Sequence, residues 1–271
     1  MSKGKVCKKH DGPKILIFDI ESSPVVTYIW SLRQKYIPIE MISENLFILC
    51  WAAKWAHKKT IYKSKLPDFK DAYKKDKRDD KKLLEGLWEL LDEADIVVAH
   101  NAKGFDVPMV NGRFLFHGMQ PPSTYKVIDT LQVVRREFRL TSNKLDYVSE
   151  YLGFGRKYKT DFELWLGCMS GNKKAWNTMM GYNARDVSLL EKVYLKVRAW
   201  DTRHPNFGLY VDDIEPMCLA CGSKNLIKKG TEKTLTQIYR RLKCKDCGHN
   251  NRGRYTILDK AKRKTLITNA V

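Results

Sequence analysis

The sequence predicts an α/β domain, a mixed sheet flanked by helices, with a small cysteine-stapled module at its C-terminal end. Three observations carry this. The stretch KILIFDIES (14–22) opens on four consecutive apolar residues, the pattern of a strand buried on both faces. Strand-like runs come first in the chain, and helical and strand-like runs then alternate. Two C-x-x-C-G segments lie 22 residues apart near the end.

In chain order, Ile15–Phe18 form the opening strand and lead into Asp19, Ile20 and Glu21. After a turn at Pro24, Val25, Val26, Tyr28 and Trp30 read as a second strand. Leu46–Trp55 and Thr60–Tyr62 complete an expected antiparallel meander. Residues 63–82 are rich in Lys and Asp, a solvated loop with Asp79 or Asp80 as the cap of a helix. That helix follows from Leu83, Leu84, Leu87, Leu90 and Leu91 at helical spacing. Ile96–Ala99 read as a buried strand ending at His100-Asn101. Gly104–His117 read as a turn and a helix. Val127-Ile128 are a short strand, with Asp129 capping a helix over Thr130–Phe138. Leu145–Leu152 and Asp161–Met169 are short helices. Lys173–Trp200 is the longest helical pattern, with an apolar side through Met179, Tyr182, Val187, Leu190 and Val193.

Charge divides the chain. It has 271 residues and a net charge of +19. Residues 216–271 hold 14 Lys and Arg against 3 Asp and Glu, more than half of the excess. A boundary is expected near Pro216, giving residues 1–215 and 216–271. So large an excess points to a polyanionic partner. The most apolar stretch, Leu46–Ala56, is interrupted by Lys54 and far short of the ~20 residues a spanning helix needs, so no membrane partner is expected. The basic start, MSKGKVCKKH, lacks the apolar run of a signal peptide. Four of the seven cysteines form the two tight pairs; Cys7, Cys50 and Cys168 are scattered, which suggests a reducing compartment.

The acidic residues carry the chemistry. Asp19 and Glu21, at i and i+2 on a strand, share a face and lie roughly 7 Å apart along it. Their repulsion calls for protons or a bound cation, unless the pair is simply a solvated strand end. Asp106, in Asn101-Ala-Lys-Gly-Phe-Asp, sits at a strand-to-helix transition, as a functional acid or a helix cap. Tyr182 and Asp186 are one turn apart on the core-facing side of the long helix, where a lone carboxylate is costly. D-x-E, N-x-x-x-F-D and Y-x-x-x-D, in this order and with Asp19, Asp106 and Asp186 successively 87 and 80 positions apart, resemble the motifs of the DEDD 3′–5′ exonucleases. The Tyr in the last motif matches the DEDDy branch of these DnaQ-like proteins, and the arrangement is similar to phage-encoded members. The resemblance covers residues 14–200.

It implies a ribonuclease-H-like mixed five-stranded sheet and a site for two Mg²⁺ or Mn²⁺ ions about 4 Å apart. Asp19 would bridge the ions, Glu21 and Asp186 would complete one, Asp106 would serve the other, and Tyr182 would position the attacking water. Asn101, Phe105, Ser142, Asn143 and Lys144 are implied contacts to the substrate strand, with His100 structural. Trp30, Trp51, Trp55 and Phe105 are candidates for base stacking or for the core.

Cys218, Cys221, Cys244 and Cys247 suit a tetrahedral structural Zn²⁺, each Gly allowing a tight turn. LTQIYRRLKC reads as a strand entering the second pair, so residues 216–271 resemble a zinc ribbon, with Arg240, Arg241 and Lys243 among its phosphate contacts. The expected function is a metal-dependent 3′–5′ exonuclease on single-stranded DNA, in the cytoplasm of a bacterium or phage-infected cell. Proofreading would be in trans with a separate DNA polymerase or replisome component. Two alternatives remain: an RNA 3′ exonuclease, or a nucleic-acid-binding or replisome-docking protein dominated by its ribbon.

Overall fold

A computed structural model describes residues 12–158 and 160–269; Cys7 and the basic N-terminal run lie outside the described residues. The chain divides into two compact units, one spanning Lys14–Tyr194 and the other beginning at Leu195.

The first unit is a five-stranded mixed sheet with an RNase-H-like arrangement. Strand β1 (Ile15–Ser22) lies at its centre, in the order β5-β4-β1-β6-β7. Strands β4 (Ile48–Trp55) and β5 (Tyr62–Lys65) extend it antiparallel on one side. Strands β6 (Ile96–Ala99) and β7 (Lys126–Asp129) extend it parallel on the other. Parallel pairing puts the C-terminal ends of β1, β6 and β7 on one edge, where ligands of open α/β sheets bind. The rungs between β1 and β6 are Ile15 with Ile96, Leu16 with Val97 and Ile17 with Val98, so the acid-bearing half of β1 runs past its neighbour.

The sheet's two faces follow from alternation. Leu16, Phe18 and Ile20 enter the main apolar core. Helix α2 (Lys81–Glu93) covers that core through Leu83, Leu84, Leu87 and Leu91, and α3 (Asp106–Phe116) through Val110 and Phe114. Ile15 and Ile17 are buried on the opposite face, which also carries Asp19 and Glu21. Helix α7 (Lys173–Val197) lies against this face, where Asn183 reaches Asp19 and Glu191 pairs with Lys54. Short helices α1 (Lys70–Lys75), α4 (Thr130–Glu137), α5 (Leu145–Tyr151) and α6 (Phe162–Ser170) complete the unit.

Two local expectations change. The run after Pro24 does not join the sheet. It forms β2 (Val26–Thr27), which pairs only with β3 (Ile42–Glu44) in a separate two-stranded ribbon. Its apolar residues stay exposed, so β4 takes the place beside β1. Asp80 does precede α2, but its side chain does not cap the helix. Its buried carboxylate accepts from Arg113 Nε (2.9 Å), Arg113 Nη2 (2.7 Å) and the Ile48 N–H (2.8 Å), so charge pairing wins over capping.

The second unit contains a three-stranded antiparallel sheet, order β10-β9-β8. Its strands are β8 (Leu226–Lys233), β9 (Ile238–Cys244) and β10 (Asn250–Thr256), followed by the short helix α8 (Lys260–Lys264). The expected boundary at 215/216 falls inside this unit. Its described apolar cluster has only Cys218, Ala220 and Cys244 fully buried. Among the described residues, no helix is long and apolar enough to cross a membrane.

Candidate metal centres

Asp19 and Glu21 leave the same face of β1, and Asp186 meets them from α7. Carboxylate oxygens of all three lie within 4.8 Å of one another. Asp106, the first residue of α3, is buried close enough to oppose the charges of Asp19 and Glu21. A tight turn brings it there. Asn101 adopts a left-handed backbone (φ 77°), and its N–H donates to Asp129 Oδ1 (3.0 Å). A Cβ at Gly104 would stand 2.6 Å from Asn101 Oδ1, so a larger residue there would make the Asn101 amide turn aside. Asp129 caps α4 through the N–H groups of Leu131 and Gln132, and also accepts from the Lys103 N–H.

Burial is the main cause of unusual electrostatics here. It pushes the Asp19 carboxyl up to about 7, with Lys157 opposing and Asp186 adding to the rise. Glu21 is pushed up to about 9 by burial and then by Asp19 and Asp186. Asp106 rises for the same reason, with Asp19 adding to it, while the backbone N–H groups of Asp106 and Ile20 oppose. Asp186 is raised by burial and held down by Lys157, and the Tyr182 hydroxyl also favours its charged form. Without cations Asp19 and Glu21 hold their protons to higher pH than free carboxyls do. Asp186 Oδ1 and Asn183 Oδ1 are buried oxygens without a hydrogen-bond partner. Hard, crowded oxygen donors with open acceptor capacity fit Mg²⁺ or Mn²⁺.

Two residues at this site do not stand out in the sequence. Lys157 Nζ lies 2.5 Å from Asp186 Oδ2 and 5.4 Å from the centre of the Tyr182 ring. Burial disfavours its charge, but Asp19 and Asp186 outweigh this and raise its pKa. Asn183 is fully buried; its Nδ2 donates to Asp19 Oδ2 (2.7 Å) and to the Asp19 carbonyl oxygen (3.2 Å). The glycine-rich, basic stretch LGFGRKYK is a signal for the lysine, but it contains three cations and does not say which turns inward. Asn183 sits inside the Y-x-x-x-D motif, where the tyrosine and the aspartate are the residues with an evident chemical role.

The remaining expected contacts separate. Phe105, just before Asp106, is partly exposed. Ser142 Oγ accepts the Lys144 N–H (3.3 Å), and the Asn143 carbonyl faces His100 Nε2 (2.9 Å), so the backbone of this loop is tied to the end of β6. Burial lowers His100 to about 4, keeping it neutral at physiological pH. Trp51 is core and Trp55 packs against it, whereas Trp30 is exposed.

The cysteines form a second cluster, with one ligand atom from each of Cys218, Cys221, Cys244 and Cys247 within 4.8 Å of the others. Both knuckle glycines have positive φ, 73° at Gly222 and 83° at Gly248. Their N–H groups donate to the carbonyls of Cys218 (2.8 Å) and Cys244 (3.1 Å), so the two turns are alike. The Sγ–Sγ separations are 3.6 Å for Cys218–Cys247 and 3.7 Å for Cys221–Cys244. Bonded sulfurs would be ~2.05 Å apart. Four thiolates around a tetrahedral Zn²⁺, with Zn–S bonds of ~2.3 Å, would be roughly 3.8 Å apart. The arrangement fits the ion and is compatible with a zinc ribbon. Arg240, Arg241 and Lys243 lie exposed on β9.

A buried carboxylate cluster at the C-terminal edge of an RNase-H-like sheet defines a nuclease-type fold. The chain belongs to the RNase H superfamily, whose family model matches residues 57–198. A similar solved structure is the family B DNA polymerase from the hyperthermophilic archaeon Pyrobaculum calidifontis, 19% identical, with a TM-score of 0.49 over 69% of this chain. The matched part is 25% of that polymerase chain. No curated protein matches the sequence.

Proposed function

We propose that the chain is a DEDDy-type, metal-dependent 3′–5′ exonuclease that removes nucleotides from single-stranded DNA. The observation that carries this reading is the convergence of Asp19, Glu21 and Asp186, with Asp106 buried beside them and Tyr182 one turn before Asp186. Asp19, Glu21, Asp106 and Asp186 would hold two Mg²⁺ or Mn²⁺ ions. When bound, such a pair activates water and stabilises the leaving 3′-oxygen of an in-line displacement.

The chain's own groups divide the remaining work. Asn183 fixes the Asp19 carboxylate by donating to one of its oxygens. Burial keeps the Tyr182 hydroxyl protonated, so it can donate to or accept from a water beside Asp186. Lys157 supplies a positive charge where an anionic phosphate must approach four acids. Asn101, Phe105, Ser142, Asn143 and Lys144 belong to elements on the same edge of the sheet and would line the path of the strand.

In this reading residues 1–215 carry the exonuclease and residues 216–271 a basic ribbon closed by one structural Zn²⁺. Arg240, Arg241 and Lys243 would add phosphate contacts, and a separate DNA polymerase or replisome component is the implied partner. The test uses 5′-labelled DNA and RNA strands side by side. A ladder shortening from the 3′ end of DNA, dependent on Mg²⁺ or Mn²⁺, is expected. Faster shortening of RNA would reassign the substrate, and no shortening of either would remove the reading.

A further inference from the structure

The strand that carries Asp19 and Glu21 runs directly into the least buried part of its unit. No residue from Pro24 to Leu46 is buried. The segment is nonetheless folded. β2 pairs with β3, the Tyr28 N–H donates to the Met41 carbonyl (3.0 Å), and the Thr27 hydroxyl donates to the same oxygen (2.9 Å). Ser23 and Phe47 close its neck: the Ser23 N–H donates to the Phe47 carbonyl (2.9 Å), and the Phe47 N–H donates to Ser23 Oγ (3.0 Å).

This lobe has no core of its own. Tyr28 is 76% exposed, Trp30 91%, Leu32 96% and Tyr36 73%, whereas Trp51 in the same unit is 5% exposed. So many exposed large apolar side chains in one short segment are unfavourable in water and mark a binding surface. Its charges select the occupant. Arg33 and Lys35 stand among the aromatics, while of the lobe's two acids Glu44 pairs with Arg78 (2.8 Å) and Glu40 lies past Tyr36. Flat aromatic faces interleaved with cations match bases and phosphates of an unpaired strand. A purely apolar protein partner would leave both cations unmatched.

We propose that this lobe is a stacking platform for single-stranded nucleic acid, with Tyr28, Trp30 and Tyr36 meeting bases and Arg33 and Lys35 meeting phosphates. The proposal rests on the nuclease reading for its placement. Trp30 is nine residues beyond Glu21, so it lies no more than ~30 Å from it along the chain. A strand of several nucleotides can therefore reach from the acids to the platform, so the platform governs binding of long strands and leaves the reacting bond to the acids.

The experiment measures fluorescence anisotropy of a 5′-labelled twelve-residue oligothymidylate in Mg²⁺-free buffer, then hydrolysis of that strand and of a dinucleotide with Mg²⁺. Trp30→Ala is expected to weaken binding about tenfold and raise KM for the long strand, with kcat and dinucleotide hydrolysis unchanged. Trp30→Phe should restore most of the affinity and Trp30→Leu should not, because leucine is apolar but has no π face. Circular dichroism should match wild type, since the side chain is exposed. Wild-type affinity in Trp30→Ala overturns the proposal. Wild-type affinity in Trp30→Leu also overturns it, because the contact with the strand would then be apolar and not stacking. If the strand is bound through Trp30 but never shortened, the nuclease reading fails and the platform stands. If it is shortened and Trp30→Ala binds normally, only the platform fails.

Discussion

The sheet unit and the cysteine unit are held together in opposite ways. The first closes over a large apolar core from β1, β4, α2 and α3, and Asp19 and Glu21 sit on the other face of the sheet, at the C-terminal end of β1. The second buries two cysteines and an alanine in its described cluster, with little else apolar around them. In the first unit a cation would answer a cost that the fold already carries. In the second a cation held by the four cysteines would be the core. Removing a metal should therefore silence one unit and unfold the other.

The largest expected effect separates chemistry from folding. Asp19→Ala should lower 3′-end hydrolysis by at least ~10³-fold, since metal-borne charge stabilisation contributes several kcal/mol. Its thermal midpoint should not fall, because the substitution removes a buried, crowded carboxylate. Retained activity on the labelled strand would sink the site assignment.

Next in size is the converse change. Cys244→Ser should reduce bound zinc from about one per chain to none and remove amide protection across β8, β9 and β10. Structural zinc in such modules supplies about 10 kcal/mol or more of folding free energy. Dinucleotide hydrolysis should stay within a few-fold of wild type. Unchanged zinc content by mass spectrometry under native conditions would refute the ribbon.

Lys157→Met should cost activity about 10²-fold, comparable to losing one preorganised donor at a developing charge. The side chain is paired with Asp186, so the variant should also bind Mg²⁺ no more weakly than wild type. Activity within twofold of wild type would reduce Lys157 to a counter-ion of the metal-free protein.

A pH series reaches the same contrast through stability. Asp19 and Glu21 have folded-state pKa values raised to about 7 and about 9 by burial first and neighbouring acids second. In the unfolded chain both return to the usual carboxylate range, near ~4. Between those limits the folded state binds more protons than the unfolded one, so stability falls as pH rises. In Mg²⁺-free buffer the midpoint of the sheet unit should decline from about pH 5 to about pH 9, and added Mg²⁺ should recover most at the alkaline end. A flat profile over that range would mean the acids are not crowded in solution.

Much of this is legible in the sequence, for identifiable reasons. Asp19, Glu21, Asp106 and Asp186 lie on regular elements whose period fixes which way they face. The cysteine knuckles are local turns with glycine where φ is positive. Lys157 is hidden because it comes from an irregular loop, and only the fold selects it over Arg156. Asn183 is hidden because an amide in a helix has no distinctive pattern until Asp19 is placed opposite it. The lobe after Pro24 reads as a sheet strand because alternating Val, Tyr and Trp have the same pattern whether they face a core or a ligand. Periodicity reports which side chains share a face, and burial depends on what the rest of the chain brings to that face.

The smallest expected effect concerns the ribbon's basic residues, and strand geometry divides them. Arg241 and Lys243 are two apart on β9 and point to one face, whereas Arg240 points to the other. Arg252 on β10 sits opposite Arg241 in the ladder and lies 4.5 Å over the Tyr239 ring. The Tyr239, Arg241, Lys243 and Arg252 face thus combines cations with an aromatic. Arg241 is partly committed, since its Nε donates to the Lys229 carbonyl (2.8 Å). On a single strand, each phosphate that loses its cation changes the slope of log affinity against log salt by ~0.7. The Arg241→Ala, Lys243→Ala pair should therefore flatten that slope by about 1, somewhat less than two fully neutralised phosphates would give. Arg240→Ala should leave it near wild type. The reverse ranking would put the strand on the opposite face of the sheet, and no change in either variant would make the ribbon a protein-docking module whose charge is only solvated.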